Sequence, residues 1–85
     1  METRVAVIAI IAENTEAIAR INGILHDYAD YIIGRMGLPY RQKGLSIISV
    51  VVDAPQQVTS ALAGKIGRFD GVSTKTAYAS ATCGD

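Results

Sequence analysis

Apolar residues crowd two stretches of the chain too densely for a strand with one wet face: residues 3–12, TRVAVIAIIA, and residues 45–53, LSIISVVVD. Both runs are rich in β-branched residues and carry apolar side chains in both alternate phases, which predicts two strands shielded on both faces. The segment between them changes period. Asn14 is a good helix N-cap and Glu16 falls in the first turn, where the helix dipole favours a carboxylate. Ile18, Ile21, Leu25 and Tyr28 then recur at spacings of 3, 4 and 3, one apolar helix face. Gly23 in mid-helix costs about 1 kcal/mol against Ala, and close packing of the helix on a sheet is the reason expected for it.

Residues 31–36 read as a short strand, followed by RMGLPYRQKG, residues 35–44, as the tip of a hairpin. After the second dense strand, Asp53 and Gln56 have capping-box spacing and Pro55 stands early in a helix, where its missing N–H costs nothing. Val58, Leu62, Ile66 and Phe69, with Ala61 beside them, form that helix's apolar face. Gly67 and Gly71 are stop signals, and Lys65 and Arg68 suit the negative end of the dipole. Residues 72–79, VSTKTAYA, make a last, more polar strand, and residues 80–85 carry no pattern.

The order βαββαβ is that of an α+β ferredoxin-like domain: a four-stranded antiparallel sheet, strand order 4-1-3-2, with two helices on one face. The two dense strands become the central pair, and the strands bearing Arg35 and Lys75 become the edges. Two helices cover only one face, so the second apolar face needs another cover, because monomers rarely expose apolar patches of several hundred Å2. The expected partner is the protein itself, as a homodimer or homotetramer. Ile8, Ile10, Ile48, Val50 and Val52 share one phase and form the expected oligomer interface. Parity alone does not say which phase faces the helices.

Composition narrows the chemistry. The sequence has 85 residues, enough for one domain, expected over residues 1–79 with 80–85 as a tail. It has no Trp and one Phe, so the core must be built from Ile, Val, Leu and Ala. Eight basic residues balance eight acidic ones, leaving no field that draws the chain to nucleic acid, so direct nucleic-acid binding is not expected. The run from Val5 to Ala12 is too short to span a bilayer and lacks the features of a signal peptide, which points to a cytoplasmic protein.

His26 is the single histidine and Cys83 the single cysteine, so neither a disulfide nor a metal site is expected; a metal reading would have to recruit Asp27 or Asp30. The serines have no nucleophile-elbow context, no carboxylate pair stands in an acid/base setting, and the glycines fit no phosphate-binding loop. The expectation is a protein without a cofactor and not an enzyme. Arg35, Arg41 and Lys43 in the hairpin are read either as a solvated tip that blunts edge pairing or as a site for an anion.

The segments YIIGRMG and DAPQ, within residues 28–78 and with the opening METRVAVIAIIAEN, resemble a family of small stand-alone proteins described as regulators of the iron-only hydrogenase system. The resemblance covers residues 1–79. It implies an ACT-like ferredoxin fold, similar to the C-terminal domain of the nickel-responsive regulator, whose members form dimers or tetramers and often bind small effectors between subunits. It implies a regulatory module that senses a small ligand or binds a hydrogenase-system protein, with Asn14, Arg35 and Arg41 as ligand-binding candidates. The nickel ligands of that regulator are missing here, as is any DNA-binding arm. The alternatives are a metal sensor that shares His26 and Asp30 across subunits, and a structural partner of a hydrogenase maturation protein.

Overall fold

The computed structural model describes residues 2–80; the tail read at 80–85 therefore lies, from residue 81 on, outside the described residues. The chain runs β1 (Arg4–Ala12), α1 (Glu16–Asp27), β2 (Ile32–Tyr40), β3 (Leu45–Ala54), α2 (Gln56–Gly67) and β4 (Val72–Tyr78), with 3-10 turns at Ala29–Tyr31 and Arg41–Lys43. All strand pairs are antiparallel and the sheet order is β2-β3-β1-β4, the expected 4-1-3-2 read from the other edge. This is the ferredoxin-like α+β architecture.

β1 and β3 are central because only they carry apolar side chains in both phases. Their register pairs Ile8 with Val50 and Ile10 with Ile48 on one face, and Val7 with Val51 and Ile11 with Ile47 on the other. The first set is buried against both helices. Ile8, Ile10, Val50 and Val52 join Ile21 and Leu25 of α1 and Leu62 and Ile66 of α2 in one core cluster. On α1 the apolar face lies as its spacing indicates, with Ala17 added. On α2 the buried stripe is Thr59, Leu62 and Ile66, and Ala61 is exposed. Thr59 stands three and seven residues before the two aliphatic anchors, so the helical period places its small side chain inward despite its hydroxyl, which has no hydrogen-bond partner.

Local expectations fail at three places for identifiable reasons. Asp53 does not cap α2: it is a β3 residue, Pro55 holds the N-cap position, and the Pro55 carbonyl accepts the Val58 and Thr59 N–H groups at 2.9 and 3.2 Å. β2 runs to Tyr40 rather than stopping at Met36, so most of the expected hairpin tip is strand, and Gly44, at φ 65°, closes the turn. Pro39 is tolerated because β2 is an edge strand whose outward N–H groups have no ladder partner to lose. A bulge between Ile32 and Gly34 shifts the β2 register and leaves Ile33 62% exposed.

Gly23 is the third. A Cβ built there meets nothing within 4 Å, so the helix does not need a glycine for close packing. Gly23→Ala is expected to raise stability by about 0.5–1 kcal/mol, the ordinary glycine penalty inside a helix. An unchanged urea midpoint would show that the glycine serves something other than the fold.

Candidate functional site

The features with functional potential lie on opposite sides of the sheet. On the helix side, α1 covers β3 and β1 but leaves a trough between itself and β2. Arg35 points into it, because its register partner Val50 belongs to the helix-facing phase. The guanidinium donates from Nη2 to Oδ1 of Asn22 on α1 at 2.6 Å and so bridges the trough at its middle. On one side of this bridge lies an open cavity of about 310 Å3 lined by Leu25, His26, Ala29 and Ile32. On the other lies a second of about 310 Å3 lined by Ile18, Gly37, Pro39, Ser46 and Ile48. Arg35 and Asn22 line both. Arg35 has no ion-pair partner among the described residues, so its charge is met only by a neutral amide oxygen and water.

The other two ligand-binding candidates are elsewhere. Asn14 uses its Oδ1 to accept the Glu16 N–H at 2.9 Å at the start of α1, where Thr15 holds the N-cap position without a side-chain bond. It lines a separate cavity of about 220 Å3 with Glu16, Arg20, Phe69 and Asp70. There Gly71, at φ 74°, turns the chain so that its carbonyl accepts the Glu13 N–H at 2.7 Å. Arg41 belongs to the β2–β3 turn and lines none of these three cavities. That turn is held by its backbone and by Tyr40 Oη bonding Gln42 Oε1 at 3.0 Å, without the arginine side chain. The three residues do not converge. His26 joins Asn22 and Arg35 in the trough, and no group of three or more His, Cys, Asp or Glu side chains converges among the described residues.

On the far side, the sheet has no cover within the chain. Its exposed apolar side chains are Val7 and Ile11 of β1, Ile47 of β3, and Met36, Leu38 and Tyr40 of β2. The interface expected at Ile8, Ile10, Ile48, Val50 and Val52 is corrected here: those five are 0–5% exposed and fill the subunit's own core. The face left uncovered is the opposite phase. The central strands alone gave no signal for this, since the core phase carries Arg4 and Ser46 and the uncovered phase Ser49 and Asp53; the register adds Ser73 and Lys75 of β4 to the uncovered phase. No helix among the described residues is long and apolar enough to cross a membrane.

Three comparisons bear on this arrangement. A family model described as "TM1266-like: Iron-only hydrogenase system regulator, putative" matches residues 4–76. Among solved structures, the uncharacterized protein TM1266 from Thermotoga maritima superposes with a TM-score of 0.86 at 31% identity, covering 91% of this chain and 98% of that one. A formyltetrahydrofolate deformylase from Pseudomonas putida KT2440 superposes with a TM-score of 0.64 over 86% of this chain and 28% of the enzyme. Its identity is 13%, so what it shares is the fold. No curated protein matches the chain.

Proposed function

The chain belongs to the TM1266-like family of iron-only hydrogenase system regulators, and from that premise we propose that it acts as a non-catalytic, self-associating module that senses a small anionic ligand in the trough between α1 and β2. The observation that carries the ligand reading is the Arg35 bridge. A guanidinium positioned by a strand and by Asn22 stands between two cavities and lacks a carboxylate partner among the described residues. Arginine's planar fork suits a carboxylate or phosphate group. The uncovered apolar face of the sheet supports self-association.

A thermal-shift screen of small carboxylates and phosphates tests the ligand reading. A ligand present at a hundredfold over its dissociation constant stabilises the fold by about 2.7 kcal/mol, a shift of roughly 10–20 °C for a domain of this size. Arg35→Ala is expected to remove that shift and Arg41→Ala to preserve it. Arg41→Ala itself should change stability by no more than about 0.5 kcal/mol, as a solvated surface charge does. Equal losses of the ligand shift in both variants would place the site in the β2–β3 turn instead. Nickel, zinc and iron belong in the same screen: a rise in melting temperature abolished by His26→Ala would favour the metal-sensing reading, and none is expected.

A further inference from the structure

Within the four strands, the uncovered face carries two charged side chains, Lys75 on β4 and Asp53 on β3. Neither has an ion-pair partner among the described residues, and Asp53 Oδ1 is stripped of water without a hydrogen-bond donor. A half-desolvated carboxylate on an apolar surface is costly until a cation meets it. The two residues are placed symmetrically. β3 and β4 flank β1, Asp53 stands opposite Val5, and Lys75 stands opposite Ala9. Strand spacing and rise separate them by about 16 Å in the plane of the sheet, and the midpoint between them is Val7.

Building on the self-association proposed above, we infer that the uncovered face takes a second copy of this chain around a two-fold axis that passes over Val7. The axis lies between the stacked sheets, perpendicular to the Asp53–Lys75 direction. It sets each Asp53 against Lys75 of the partner subunit, twice per dimer. The operation crosses the two sets of strands at about 70°, within the near-orthogonal class of sheet packing. An extended lysine and an aspartate together bridge the ~10 Å between stacked sheets. Val5, Val7, Ala9 and Val51 lie nearest the axis, and Ile11 and Ile47, about 13 Å along the strands from it, pack toward the rim. Four strands by about eight residues present roughly 500 Å2 per copy, of which two sheets crossed at about 70° cover the part around the axis, an area at the small end of specific interfaces. The reciprocal charges fix the register that a purely aliphatic face leaves free to slide.

The test is sedimentation of the full chain, with circular dichroism confirming that each variant folds. Lys75→Glu and Asp53→Lys, each alone, put like charges together at both positions and should weaken self-association at least about a hundredfold. An equimolar mixture of the two restores both pairs and should yield a heterodimer as tight as the wild-type dimer. The double variant Asp53→Lys/Lys75→Glu should again self-associate. A wild-type dimer that Ile47→Asp dissolves, but that neither charge variant weakens, would overturn the axis while leaving self-association intact. A wild-type chain that stays monomeric at high micromolar concentration would overturn self-association and the axis together. If Asp53→Lys does not fold, a double-mutant cycle of Asp53→Asn and Lys75→Met replaces it, and zero coupling between them refutes the pairing.

Discussion

Ile48→Asp is expected to leave no folded protein, whereas Ile47→Asp, one residue earlier, is expected to fold and to be monomeric. Ile48 is 5% exposed, in the cluster beneath the helices, and Ile47 is 36% exposed on the uncovered face. In the core, the substitution forfeits the packing of a buried aliphatic group, typically about 2–5 kcal/mol, and strands a carboxylate without a partner, which costs several kcal/mol more. A chain of 85 residues has a total stability of roughly 4–13 kcal/mol. The two losses consume most or all of it. On the uncovered face the same carboxylate keeps its water in the monomer and blocks only the docking of a second sheet. Circular dichroism and sedimentation on the two variants read both halves. If both fold, or neither does, the assignment of the two faces is wrong.

That pair of residues also shows where the sequence was readable. Strand identities, order and sheet topology followed from the density of β-branched residues and the helical spacing of Ile18, Ile21 and Leu25, signals that arise from burial itself. The side of the sheet to which each phase turned was harder, because Ile8 and Val7 are equally apolar, as are Ile48 and Ile47. Only the strand register, by bringing Lys75 and Asp53 onto one face, separates them. The length of β2 was obscured because Gly34, Gly37 and Pro39 look like loop residues. An edge strand tolerates them, since it needs its ladder on one side only. The site was the least legible. Arg35 was singled out as cationic, but its pairing with Asn22 joins residues 13 apart across two elements, a contact that no local spacing encodes. Asn14 was read as a cap and as a ligand group, and the structure commits its oxygen to the helix start.

The second large effect is expected at Ile21. Its side chain is fully buried, and it anchors the middle of α1 over the sheet between Ala17 and Leu25. Ile21→Ala should lower stability by about 3–4 kcal/mol, through lost transfer energy plus a cavity that two flanking anchors keep the helix from closing. Ile18→Ala, one turn away on the same helix and only partly buried, should cost about 1 kcal/mol, in proportion to the smaller area it removes from water. Urea denaturation of both variants gives the comparison. Similar losses at the two positions would mean that α1 sits rotated from the arrangement described. Because α1 also carries Asn22 and His26 into the trough, Ile21→Ala should weaken ligand-dependent stabilisation as well, by loosening one wall of the cavity.

The place of β1 in the sheet has a consequence for how the protein is made. Of the sheet's four strands β1 is synthesised first, yet its two neighbours are β3 and β4, and β4 ends at Tyr78. Until the last strand arrives, β1 offers one unpaired edge beside two apolar faces, a template for pairing with another chain. Sheets built from such distant pairings form slowly, because the loop-closure entropy is spent before the contacts reward it. A nascent chain cut short before residue 72 therefore cannot complete the sheet and is exposed to aggregation, whatever the finished protein's stability.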